Sequence, residues 1–202
     1  MSRAVSDAEL LDRIRSDDPA SFDEFVRRYG DRIYGFGLRM CGEREDARDV
    51  VQETLIKAFE SLKTLHEPRA LRSWLYRVAS NACLMKRRKG KFEPKRELSL
   101  EELMPAGPES AVFEVPDSAS PSPEARAELG ETRAKVREAI RTLPPGYRIV
   151  LLLRDIEQLT THEVAEALAL PETTIKMRLH RARLEVRRYL EHGPRAAAEG
   201  AS

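Results

Sequence analysis

Apolar positions recur at steps of three and four through most of the chain, the spacing of one buried helix face. Phe22, Phe25, Val26, Tyr29, Ile33, Phe36 and Met40 form one such stripe. Val51, Leu55, Ala58, Phe59 and Leu62 form a second, on a helix opening near Glu43. Leu71, Trp74, Leu75, Val78, Ala82 and Met85 form a third, on a helix whose first turn accommodates Pro68 because that turn needs no N–H donor. Residues 6–16 read as a shorter leading helix, with Ser6 as its cap and Glu9 as the reciprocal partner of a capping box. Four helices with matching stripes bury one another as a small bundle.

The periodicity then fails. Residues 92–128 hold six of the twelve prolines, five serines and nine acids. Such composition buries too little apolar surface to offset ordering entropy, so it predicts a flexible acidic linker. Leu98, Leu100, Leu103 and Met104 are the one candidate docking turn within it. Periodicity resumes near Pro123 and continues to about Leu190, with breaks at Leu143-Pro144-Pro145-Gly146, at Gln158-Leu159-Thr160 and at Ala169-Leu170-Pro171. Thr160 and Glu163 make a second capping box. Strand-like alternation is lacking. The expectation is an all-α chain of two small helical domains, residues 1–91 and 129–192, joined by the linker 92–128 and followed by a disordered tail, 193–202.

Composition agrees with this reading: of 202 residues, 34% are charged and only 6% aromatic. No run approaches the roughly 20 apolar residues of a membrane span, and the polar, acidic start MSRAVSDAELLDRIRSDD is unlike a signal peptide. The two cysteines, Cys41 and Cys83, are too few for a disulfide framework. A cytoplasmic location is expected. The four histidines have no metal-ligand spacing, and no metal or other cofactor is expected.

Net charge is +1, but it is unevenly distributed. Residues 68–91 carry eight basic side chains and no acid, and residues 175–188 carry six with one acid, Glu185. Two basic patches point to a polyanion contacted at two places. Residues 160–189 have the short helix, tight turn and longer basic helix of a helix-turn-helix. On the last helix Ile175, Leu179, Ala182 and Val186 face inward. Thr173, Lys176, Met177, His180, Arg187 and Arg188 lie opposite, with Arg181 at the edge. The first half of that face suits base edges and the later arginines suit phosphates.

The basic helix of residues 68–91 carries Arg69, Arg72, Arg77, Ser80 and Asn81 outward and ends in Lys86-Arg87-Arg88-Lys89, with Trp74 and Tyr76 interleaved. Positive charge with flat or amide-bearing groups suits single-stranded nucleic acid; Trp74 on the apolar stripe also reads as plain core. The helix from Glu43 is the opposite, with Asp46, Asp49, Gln52, Glu53 and Glu60 outward. Paired carboxylates one turn apart are compatible with catalysis or a cation, but no supporting motif accompanies them. A surface for a basic protein partner, or a merely solvated face, accounts for them better.

These residues carry a family pattern. The run DARDVVQETL at 46–55, followed by LRSWLYRVASN at 71–81, resembles region 2 of bacterial RNA polymerase sigma factors. The run LPPGYRIVLLLR at 143–154, followed by EVA at 163–165 and TIKMRLHRAR at 174–183, resembles region 4. With only a linker between, the chain resembles the extracytoplasmic-function (ECF, group 4) subfamily of the sigma-70 family.

The resemblance implies a non-enzymatic initiation subunit that directs core RNA polymerase to −35 and −10 promoter elements and helps to melt DNA. It implies that Asp49, Gln52 and Glu53 bind the β′ clamp helices. It assigns His66, Arg69, Arg72, Trp74, Tyr76, Arg77, Asn81, Lys86, Arg87 and Arg88 to the −10 element. Thr173, Thr174, Lys176, Met177, His180 and Arg181 would read the −35 duplex, and region 4 would also dock on the β flap. The linker would run through the active-centre cleft, and an anti-sigma factor is an expected further partner. The alternative is a helix-turn-helix repressor or activator binding duplex DNA unaided, which leaves the basic Trp74 helix and the acidic face unexplained. A metal-dependent nucleic-acid enzyme lacks a ligand cluster.

Overall fold

In the computed structural model, the described residues are 5–89 and 123–193, with side chains described for 5–86 and 131–193. Most of the expected linker, the expected tail beyond Gly193, and the side chains of Arg87 and Arg88 therefore lie outside the described residues.

The first unit contains α1 (Asp7–Arg15), α2 (Pro19–Cys41), α3 (Arg44–Ser61), a 3₁₀ turn (Leu62–Thr64) and α4 (Ala70–Lys89). The capping box opens α1 as expected, with the Glu9 N–H donating to Ser6 Oγ and the Ser6 N–H to Glu9 Oε2. Asp18 caps α2, with Pro19 at its first position. The helix ends at Gly42, whose φ of 90° is left-handed. The fourth helix begins at Ala70 rather than Pro68: Pro68 stands in a turn closed by the Ala70 N–H on the Glu67 carbonyl.

Buried Phe25, Tyr29, Ile33, Phe36 and Met40 of α2 face Leu71, Leu75, Ala79 and Ala82 of α4 and Val50 and Ala58 of α3. Phe36 meets Tyr76 edge-on at 5.5 Å between ring centroids. Gly37 lets α2 approach α3 closely, since a Cβ there would lie 3.2 Å from Ala47 Cα.

The expected stripe of α3 needs correction. Its buried row is Ala47, Val50, Thr54 and Ala58, while Val51 and Leu55 are half-buried and Ile56 and Phe59 are 52% and 68% exposed. The close α2–α3 contact selects the row of small residues, and the bulkier apolar row is rotated outward. Met85, expected inward on α4, is also exposed.

The second unit contains α5 (Pro123–Thr142), α6 (Pro145–Leu151) with a π turn (Leu152–Ile156), α7 (Thr161–Leu168) and α8 (Glu172–His192). Helix α5 starts within the span expected as linker, at the proline that marks the return of periodicity. The second capping box opens α7, and Ala169 in the left-handed region closes it before α8. Ile175, Leu179 and Ala182 of α8 pack on the buried run from Ile149 to Leu153, with Leu159 and Val164. No strand occurs among the described residues.

The two units are packed together. Helix α4 lies against α7, and α2 lies against α5, α6 and the π turn.

Candidate nucleic-acid and protein interfaces

Capping and a tight turn set the angle between α7 and α8. His162 Nδ1 on α7 stands 3.2 Å from Glu172 Oε1 in the first turn of α8, and Arg183 reaches Asp155 through two hydrogen bonds of 3.0 and 2.7 Å. Both contacts brace α8 against what precedes it. Its outward face keeps Thr173, Lys176 and His180 exposed, with Thr174, Met177 and Arg181 half-buried. The exposed face is polar or basic at its N-terminal half, as docking in a major groove requires.

On α4 the candidate residues divide. Asn81 is exposed, as are His66 and Arg69 just ahead of the helix. Trp74 is half-buried against the bundle core. Tyr76 is buried, its ring in the core and its hydroxyl donating to Glu157 Oε2. Burial first, and then that contact, raises the Tyr76 pKa and keeps the phenol protonated. Arg72 and Arg77 turn toward the second unit, donating to the carbonyl of Glu157 at 2.5 Å and that of Glu166 at 3.0 Å. Lys86 pairs with Asp49 and lies 3.6 Å from Asp46 on α3. The Asp49 contact, followed by the smaller influence of Asp46, raises its pKa. This ties the acidic candidate face to the basic one.

Asp49 and Gln52 are exposed on α3, and Glu53 is half-buried with Lys57 at 2.8 Å. Gln52 borders a groove between α2 and α3 lined by Val26, Gly30, Tyr34, Val51, Leu55 and Ile56. The outward rotation of the large apolar row of α3 creates that groove. The trough is apolar along its floor, and Arg27, Arg48, Asp31 and the Gln52 amide stand at it, so it offers a partner helix an apolar seat with both signs of charge alongside.

Sequence reasoning did not find Glu157. It is 3% exposed, while Ile156 beside it is 43% exposed, the reverse of what their polarities suggest. The only local hint is its place one helical turn beyond Leu153, the last residue of the apolar run 149–153. Among the described residues no cluster of His, Cys, Asp and Glu has the geometry to hold a metal ion. No described helix is long and apolar enough to cross a membrane.

Comparison with known proteins gives this arrangement its class. The family model for sigma-70 region 2 matches residues 25–93, and that for sigma-70 region 4 matches residues 133–186. The chain belongs to the extracytoplasmic-function sigma factors of the sigma-70 family. It is 32% identical to the ECF RNA polymerase sigma factor SigE of Mycolicibacterium smegmatis over 90% of its own length, and it spans 66% of that relative. It is 30% identical to the RNA polymerase sigma-H factor of Pseudomonas aeruginosa, covering 92% of this chain and 94% of that one. With the ECF sigma factor SigW of Bacillus subtilis it shares 32% identity over 89% of this chain and 94% of the other.

Two solved structures share the fold. One is CnrH in complex with the cytosolic domain of CnrY, with TM-score 0.63, 23% identity and coverage of 93% of this chain and 99% of that one. The other is the sigma factor RpoE in complex with the anti-sigma factor NepR from Bartonella quintana, with TM-score 0.60, 18% identity and coverage of 87% and 99%.

Proposed function

We propose that this sigma factor acts as a dissociable, non-catalytic subunit in the cytoplasm, with its tasks divided between the two units. The α3 face of Asp49, Gln52 and Glu53, with the adjoining α2–α3 groove, docks on the β′ clamp helices of core RNA polymerase. Helix α4 and the segment before it engage the −10 element as single strand. Asn81 contacts a base, Arg69, Arg72, Arg77, Lys86, Arg87 and Arg88 supply backbone charge, and His66, Trp74 and Tyr76 complete the pocket wall. Extracting a base costs a few kcal/mol of stacking, which a prepared pocket and phosphate contacts offset. Helix α8 reads the −35 duplex through Thr173, Thr174, Lys176, Met177, His180 and Arg181, and the same unit docks on the β flap. An anti-sigma factor is proposed as a further partner, since a solved neighbour, RpoE, was determined in complex with the anti-sigma factor NepR.

The observation that carries this reading is the co-occurrence, in order, of an acidic grooved helix, a basic aromatic-bearing helix and a helix-turn-helix with a basic outer face. The test is transcription from a promoter library by core polymerase with and without the chain, mapping 5′ ends. Specific start sites that disappear with Asp49→Lys support the reading. Specific duplex binding by the free chain, with no association to core polymerase, would replace it with a stand-alone helix-turn-helix regulator.

A further inference from the structure

The two units meet around one buried acid. Glu157 closes the π turn, its N–H donating to the Leu152 carbonyl at 2.9 Å, and Gln158 follows with a left-handed φ of 58°. This backbone course delivers the Glu157 side chain into the first unit. Arg39 Nη2 of α2 donates to its Oε1 at 2.6 Å, Tyr76 of α4 donates to its Oε2, and Arg32 Nε stands 3.9 Å from Oε2. Arg72 donates to its main-chain carbonyl. Arg77 on Glu166 and Arg148 of α6 on the Met40 carbonyl, at 3.0 Å each, flank this cluster. A carboxylate drawn this far from water is tolerated when its oxygens are paired this fully.

Three of these side chains, Arg72, Tyr76 and Arg77, are the ones assigned above to the −10 strand. The arrangement also conflicts with promoter geometry. By their names, the −35 and −10 elements lie about 25 base pairs apart, or ~85 Å of duplex at 3.4 Å per pair. A chain whose α4 touches α7 cannot occupy both. The 33 residues between α4 and α5 (90–122) reach about 110 Å when fully extended, so their length permits the separation.

We propose that Glu157 is an intramolecular latch: the free chain closes on itself through the Glu157–Arg39–Tyr76 cluster, holding Arg72 and Arg77 on the second unit until polymerase and promoter part the units. This rests on the sigma-factor reading for its consequence, but the closed state itself is a property of the chain alone. A tether of the composition expected for residues 90–122 presents one unit to the other at an effective concentration on the order of millimolar. A contact about tenfold tighter than that therefore keeps about nine chains in ten closed. Losing a buried, charge-paired carboxylate shifts the balance toward the open form at least tenfold.

The test is small-angle X-ray scattering of the full chain without polymerase, on the wild type, Glu157→Gln, Arg39→Ala and the double variant. A compact chain of this length has a radius of gyration of about 17 Å. The wild type is expected near that figure, broadened only by the tether. Each single variant is expected to raise the radius by roughly a third, and the double variant to add little more, because both substitutions remove one contact. Circular dichroism checks that the helices persist. Arg39 is about one-third exposed on a long helix, so Arg39→Ala decides the matter if Glu157→Gln does not fold.

An expanded wild type, or an unchanged radius in the folded variants, overturns the latch. Binding to core polymerase, measured separately on the wild type, tests the sigma-factor reading. A chain that closes and opens as expected but never binds polymerase refutes that reading and leaves the latch standing.

Discussion

Two glycines seven residues apart on α2 pose a controlled experiment in packing. Replacing either by alanine removes backbone freedom from the unfolded chain and favours the helix by about 0.5–1 kcal/mol. Their surroundings differ. At Gly30 an added Cβ meets only Val26 Cγ1 at 3.9 Å, an ordinary contact. At Gly37 it meets Ala47 Cα at 3.2 Å and Ala47 Cβ at 3.4 Å. Part of that obstacle is backbone and cannot swing aside, so α3 must shift outward, and overpacking of this kind costs about 1–3 kcal/mol.

Gly30→Ala is therefore expected to stabilise the first unit by about 0.5–1 kcal/mol. Gly37→Ala is expected to be neutral to destabilising by about 2 kcal/mol once the helix gain is subtracted. Trp74, the only tryptophan, lies on α4 within this bundle, so its fluorescence in urea follows this unit rather than the other. With a slope of about 1–2 kcal/mol per molar urea, the two midpoints should separate by roughly 0.25–3 M. Equal stabilisation by both substitutions would refute the claim that Gly37 is required by the α2–α3 approach. The functional reading also predicts that Gly37→Ala weakens core-polymerase binding, since the outward shift of α3 moves the Asp49–Gln52–Glu53 face.

Further outcomes follow from the same contacts. Thr160→Ala removes one half of the α7 capping box and should cost about 1 kcal/mol, seen as faster amide exchange in α7 and weaker −35 duplex binding. Asn81→Ala should impair promoter opening, read by permanganate reactivity of unpaired thymines, while leaving −35 duplex binding intact; normal opening would remove Asn81 from the strand contact. Lys176→Ala should weaken duplex binding and reduce its salt slope by about one. The Arg13 hydrogen bond, followed by that of the Ala20 N–H, lowers the Asp18 pKa below its usual value. Its contribution to stability is then present above the unfolded-state pKa and fades as pH falls through the lower folded value. NMR titration of the Asp18 carboxyl should show the lowered midpoint, and Arg13→Ala should move it back upward.

Local structure was readable wherever a residue acts on its own neighbourhood. Ser6 with Glu9 and Thr160 with Glu163 announce helix starts because each pair satisfies donors within one turn. The inward row of α8 follows from spacing alone, because large side chains occupy the buried positions. On α3 the same reasoning holds for Ala58 and Leu62 and fails for the rest: the buried row continues through Ala47, Val50 and Thr54, while Val51 and Leu55 are half-buried and Phe59 is exposed. Which row is buried is decided by how closely α2 approaches, a fact contained in Gly37 and not in the periodicity of α3. Glu157 was hidden for a different reason. Its partners stand 118 residues away at Arg39 and 81 away at Tyr76, and no periodic pattern links such positions. The charged faces of α3, α4 and α8 were legible in the sequence, whereas the pairing of Lys86 with Asp49 and the seating of α4 on α7 were not.

The five-residue π turn of residues 152–156 amounts to a helix carrying one surplus amino acid. Each residue of an α-helix advances the angle by about 100°, and the wide turn takes up that extra step locally. Excising one residue there would convert the Glu157–Leu152 bond to ordinary i→i+4 spacing and leave Glu157 on the same side of the helix. A single-codon deletion inside the turn is thus a change this fold can absorb, whereas the same deletion in the regular turns of α6 would rotate everything after it.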